Sequence, residues 1–155
     1  GAPYGEERFR SLILKPRFNL QILHRFKPTD FLPTPKVNVV LLKIALHKHF
    51  YLAPNEEKIY RDFIAYVFSH SGQNLKERLK NIFTAAQFKR LSQDLRFSLA
   101  SRPGELGFKQ WLGLFQYFLK GVAPEKQVLI RGSYSRLISQ QKKLDKIYRT
   151  RKDKK

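Results

Sequence analysis

Prolines divide this chain before any other feature does. Five of its eight, Pro3, Pro16, Pro28, Pro33 and Pro35, fall within the first 35 residues. Each lacks a backbone N–H and biases the residue before it away from helix. No long helix fits there. Between the prolines, Phe9 to Leu14 and Phe18 to Ile22 alternate over short stretches, as strands do. Lys15-Pro16-Arg17 would be the turn joining them. Two strands alone are barely stable in water, so residues 1–34 are expected to form an extended arm, or a short hairpin docked on the body.

From Pro35 onward the period is helical. Thr34-Pro35 sets a capping hydroxyl before a proline at the first helical position. The helix predicted over about 35–51 is apolar on most sides, which suits the centre of a bundle. Asn55-Glu56-Glu57 opens a second helix to about His70, with Gly72 as its stop. Asn74 to Glu77 and Thr84 to Gln87 carry capping-box patterns for two more. The break at Ser101-Arg102-Pro103-Gly104 precedes a helix over about 105–120. Pro124-Glu125 then starts the last and longest one, weakened near its start by Gly132 at about 1 kcal/mol relative to alanine.

The fold class expected is all-α, a bundle of five to six helices with the N-terminal arm or hairpin. The division expected is 1–34 for the arm, 35–150 for the bundle and 151–155 for a basic tail. Hydrophobic residues at 42%, with 13 Phe and 7 Tyr, are enough for a real core. Chains of this length bury roughly 70% of their unfolded surface. Cysteine is absent, which excludes disulfides and thiolate sites and fits a reducing, cytoplasmic setting. No run of about 18 apolar residues exists to cross a bilayer.

Charge then narrows function. Lys and Arg number 31 against 12 Asp and Glu, a net charge of +19. Such an excess stores self-repulsion that a polyanion relieves, and DNA or RNA is the commonest partner of that kind. Residues 126–155 hold 11 Lys and Arg against Asp145 and Asp153. On one helix, Arg131, Lys142, Lys146 and Arg149 would share a side, flanked by Arg136 and Lys143, with Arg151 just beyond. That is a cationic rail for a phosphate backbone. A second group joins Lys76 and Lys80 to Lys89, Arg90 and Arg96. The structural alternative for both groups is a solvated helix face, favoured at a C-terminus by the helix dipole.

Catalytic signals are poor. His47 and His49 are two apart and so face different sides of a helix, unlike metal ligands at i,i+4. Ser69-His70-Ser71 lacks the glycine pattern of a nucleophile elbow. No Walker loop, dinucleotide fingerprint or carboxylate cluster occurs, so no cofactor, no metal and no enzyme activity are expected.

A small cysteine-free helical bundle with strong positive charge and no catalytic constellation resembles the small subunits of CRISPR effector complexes. The resemblance implies a protein present in several copies beside other subunits, holding nucleic acid by backbone contacts. Ribosome-associated, plasmid and viral nucleic-acid-binding proteins share the same profile. The function expected is therefore a non-catalytic, largely sequence-independent nucleic-acid-binding subunit of a ribonucleoprotein, with no membrane role. Two alternatives stand beside it: a matrix-like protein on anionic lipid, and a basic scaffold for an acidic protein.

Overall fold

The computed structural model describes residues 7–150 of the chain, with side chains as far as Leu144. Seven helices and two strands follow in the order α1 (Phe9–Leu14), β1 (Phe18–Arg25), β2 (Val40–Leu46), α2 (Pro54–Ser69), α3 (Leu75–Leu79), α4 (Ala85–Asp94), α5 (Phe108–Gly121), α6 (Pro124–Gln127) and α7 (Ser133–Thr150). The all-α expectation is overturned: β1 and β2 pair as a two-stranded antiparallel sheet.

The cause is an ambiguity of short apolar runs. A stretch of four to eight apolar residues fits a buried helix or a strand equally by periodicity. Val40 to Leu46 is such a stretch, and Val37, Val39 and Val40 just before and within it favour the extended form. Its partner lies across a long loop. Phe18 faces Leu46, Leu20 faces Ile44 and Ile22 faces Leu42, with a bulge between Ile22 and His24. Residues 9–14, expected to be one strand of a hairpin, are helical instead. The Arg8 N–H and the Glu7 carboxylate hold the Ser11 hydroxyl at 3.0 and 2.8 Å. Leu12 of that helix is fully buried, and its carbonyl accepts the Tyr60 hydroxyl at 3.1 Å.

The helices after residue 54 follow local signals. The Asn74 side chain accepts the Glu77 N–H at 3.0 Å, and Thr84 and Gln87 cap each other's backbone at 3.2 and 2.9 Å. Their apolar faces meet in one core built on aromatic rings. Phe63 of α2 lies 5.0 Å from Phe118 and 5.9 Å from Phe115 of α5, and Tyr60 meets Phe115 edge-on at 5.2 Å. Trp111 closes the stack, 6.4 Å from Phe63. A Cβ at Gly113 would stand 2.5 Å from a Leu95 methyl, so α5 approaches the end of α4 closely there.

The last helix does not begin at Pro124. Four residues of α6 pass into a tight turn over Val128–Ile130, and Gly132 at φ +73° redirects the chain into α7. Few residues other than glycine hold that conformation cheaply. Arg131 is thereby cut off from the helix it was expected to share with Lys142.

Candidate nucleic-acid interface

The junction of α2 with the start of α7 concentrates unusual chemistry. Asp62, buried within α2, turns its carboxylate to the 131–135 turn. Oδ2 accepts the Gly132 N–H and Oδ1 the Tyr134 N–H, both at 3.0 Å. These are the unpaired donors at the head of α7, so a side chain 70 residues upstream caps that helix. Tyr134 is fixed in turn, stacked on Phe9 at 6.2 Å and lying under the Arg61 guanidinium at 6.0 Å.

Around this anchor opens a hollow of about 560 Å³ lined by Lys58, Ile59, Arg61, Asp62, Arg131, Gly132, Tyr134 and Ser135. Three cations face it against one carboxylate already committed to two N–H groups. Arg61 also stands 3.7 Å from Glu57, while Lys58 and Arg131 make no ion pair among the described residues. Glu57 is held chiefly by Arg17, whose Nε donates to it at 2.6 Å. That hydrogen bond lifts the Arg17 guanidinium above its ordinary value. Arg17 also lies over the Phe50 ring at 5.3 Å.

A second hollow of about 520 Å³ lies where the sheet meets the head of α5. Phe18, Tyr51 and Phe108 supply flat apolar surface, with Lys15, His47 and Lys109 beside them. Tyr51 meets Phe108 edge-on at 5.3 Å and His47 at 5.2 Å. Lys15 pairs with the buried Glu7, which leaves Lys109 as the cation of this hollow without a carboxylate among the described residues. Aromatic faces beside cations offer bases a place to stack.

The expected site residues divide between these features and open surface. Arg131 lines the first hollow. Arg136 turns back, donating to the Arg131 carbonyl and the Ser133 hydroxyl at 3.0 Å each, and so braces the turn. Lys142 and Lys143 are exposed farther along α7. Lys146, Arg149 and Arg151 lie outside the residues whose side chains are described. Lys76 and Lys80 are exposed on α3 and at its end, and Lys89 and Arg90 on α4, where Arg90 stands 3.7 Å from Asp94. Arg96 follows α4 with φ +56°, a left-handed conformation rare for arginine. Arg78, between Lys76 and Lys80, faces inward and donates to the Gly72 and Val67 carbonyls.

Sequence reasoning missed Lys58 and Arg61. Both sit on α2, whose basic residues form no run, and only tertiary contact brings them to Arg131. Among the described residues no group of three His, Cys, Asp or Glu could hold a metal. No helix there is long and apolar enough to cross a membrane.

Comparison with known proteins bears on what this surface serves. Residues 2–120 match the protein-family model described as ribosomal RNA adenine dimethylase. The chain is 32% identical over 109 residues to an rRNA adenine N-6-methyltransferase of Bacteroides fragilis, covering 70% of this chain and 40% of that protein. It is 25% identical over 120 residues to ribosomal RNA small subunit methyltransferase A of Chlamydia trachomatis serovar D, covering 76% and 43%. The crystal structure of the 23S rRNA methyltransferase ErmE superposes with a TM-score of 0.62 at 17% identity, covering 74% of this chain and 47% of that one. The last is a likeness of fold. The chain spans about two fifths of the length of the curated relatives it matches.

These matches overturn the resemblance to CRISPR small subunits, which rests on overall character and on no residue motif. The relatives carry the names of enzymes, which also overturns the expectation of a non-catalytic subunit. The lipid-binding and scaffold alternatives find no support among them. Charge points to a kind of ligand, and it is silent on the chemistry performed there.

Proposed function

Because this chain belongs to the ribosomal RNA adenine dimethylase family, we propose that its activity is N6-methylation of adenine in ribosomal RNA, with the described residues gripping that RNA. The observation that carries the reading is the hollow of Lys58, Arg61 and Arg131 around the Asp62 anchor, within a chain of this family. Phosphate contacts from such cations set the position and register of a nucleic acid. Chemistry on one chosen adenine depends on that register. Lys142 and Lys143 extend the track along α7, and Lys76, Lys80, Lys89, Arg90 and Arg96 form a second strip on α3 and α4. The aromatic hollow of Phe18, Tyr51 and Phe108 suits an unstacked base.

Methyl transfer also needs a donor. A cradle for a nucleoside-type donor would be expected where a strand runs into a glycine-rich turn. Among the described residues, β1 runs into Phe26-Lys27-Pro28 and β2 into His47-Lys48-His49. Neither turn carries a glycine, so these residues do not fit a donor site.

The test is chemical. Ribosomal RNA from cells with and without the gene is digested to nucleosides, and N6-methylated adenine is quantified by mass spectrometry. Loss of the modification at a defined position, restored by the wild-type gene, is the expected result. Unchanged rRNA methylation would refute the proposal.

A further inference from the structure

Tyr134 is a wall shared by two hollows. On one side stands the cationic hollow of Lys58, Arg61 and Arg131. On the other, between α1 and α7, lies a third hollow of about 250 Å³. Phe9, Ile13 and Leu14 of α1 line it, and Tyr134 and Ile138 of α7 face them. Phe9 and Ile13 are one helical turn apart, as are Tyr134 and Ile138, so each helix turns one stripe to the other. The aromatic part of this lining is held in place. Phe9 lies between Tyr134 at 6.2 Å and Phe68 of α2 at 6.0 Å, and the Tyr134 N–H is fixed on Asp62.

Two polar side chains complete the rim. Arg10 follows Phe9 on α1, and Gln141 follows Ile138 one turn further along α7. Both are exposed, and neither side chain makes a hydrogen bond or ion pair among the described residues. Tyr134, Ile138 and Gln141 lie outside residues 2–120 that match the family model, so the site is carried partly on a helix apart from that match.

We propose that this hollow takes one unpaired purine of the rRNA strand whose phosphates the cationic hollow holds. The inference rests on the RNA reading of that hollow and adds a base-recognition site to it. A strand crossing the Tyr134 wall meets guanidinium and ammonium groups on one side and apolar surface on the other. Single-stranded nucleic acid is held in this way, with cations along the backbone and bases stacked on aromatic side chains. The Arg61 guanidinium, 6.0 Å from the centre of the Tyr134 ring, joins the two halves. An apolar partner such as a helix of another protein would leave Arg10 and the three neighbouring cations without a counter-charge.

The polar rim selects the base. A glutamine amide pairs with N6 and N7 of adenine, and a guanidinium with O6 and N7 of guanine. Both pairings address N7, an atom that pyrimidines lack. The base has to be unpaired, because side chains read RNA sequence on bases splayed out of the A-form helix.

The test titrates the 155-residue chain with labelled decauridine RNA and with the same RNA carrying one central adenine or guanine. A single purine should raise affinity by about fivefold or more. Gln141→Ala should remove most of the gain for adenine, and Arg10→Ala most of the gain for guanine. Circular dichroism should be unaltered in both, because these side chains are exposed. Methyl resonances of Ile13, Leu14 and Ile138 should shift with the purine RNAs and much less with decauridine. Equal affinities for the three RNAs, a purine preference that survives both substitutions, or unmoved methyl resonances would each overturn the proposal. A chain that binds none of these RNAs yet holds a structured rRNA fragment through Lys58, Arg61 and Arg131 overturns the base site alone. One that binds neither overturns both readings.

Discussion

Replacing Asp62 with alanine should loosen α7 more than any surface change of similar size. The carboxylate is buried and accepts the Gly132 and Tyr134 N–H groups at 3.0 Å each. Hydrogen bonds to a charged acceptor contribute about 1.5–3 kcal/mol apiece. Water reaches the half-buried N–H groups once the carboxylate is gone, so the lower half of that range applies and the expected loss is about 3–4 kcal/mol. For a chain of this length that corresponds to a fall in Tm of roughly 10 °C. The amide of Asp62→Asn keeps one good acceptor, and this variant should lose about half as much. Urea denaturation followed by circular dichroism gives the free energies, and amide exchange over Ser133 to Leu137 locates the damage. A D62A protein within about 0.5 kcal/mol of wild type, with α7 exchange unchanged, would refute the capping argument.

Other expectations follow from single contacts. Burial, aided by the charge of Glu7, raises the Tyr60 phenol above its ordinary value of 10.0. A raised folded value means that Tyr60 supports the fold fully below about pH 10 and progressively less as pH rises beyond it. Y60F should lose about 1 kcal/mol at about pH 7 with its hydrogen bond to Leu12, and its urea midpoint should then fall less than wild type's between about pH 9 and 11. R96G should gain up to about 1 kcal/mol by relieving a left-handed arginine, while rRNA affinity falls if that cation touches phosphate; a stability loss in urea titration would contradict the strain argument. G113A sets a methyl against Leu95 and should cost about 1–3 kcal/mol, with Leu95→Ala in the same chain recovering part of it. Equal stability of G113A and wild type would show that α4 and α5 are not closely packed there.

How much is legible in the sequence depends on the distance between cause and effect. Asn74 with Glu77 and Thr84 with Gln87 are contacts within one turn, and the helices they cap stand where their sequence places them. β2 reads as a helix in the sequence because its partner β1 lies across the loop of residues 26–39, and a single run of apolar residues carries no sign of register. Gly132 reads as a weak spot within one long helix, whereas its φ of +73° makes it a corner. Asp62 has no local signal that sets it apart from other polar residues of α2, since the N–H groups it caps are 70 and 72 residues away. For the same reason the exposed Lys142 and Lys143 of α7 are visible from sequence, and the hollow that brings Arg131 to Lys58 and Arg61 is not.

Whether these three cations hold ribosomal RNA is measured most directly by the salt dependence of affinity for an rRNA fragment, wild type against the Lys58→Glu, Arg61→Glu, Arg131→Glu variant. Each phosphate that the protein no longer neutralises should flatten the slope of log K against log salt by about 0.7–0.9, so a change of about 2 or more is expected with circular dichroism unaltered. Equal slopes and equal affinities for the two proteins would contradict an RNA grip at this hollow.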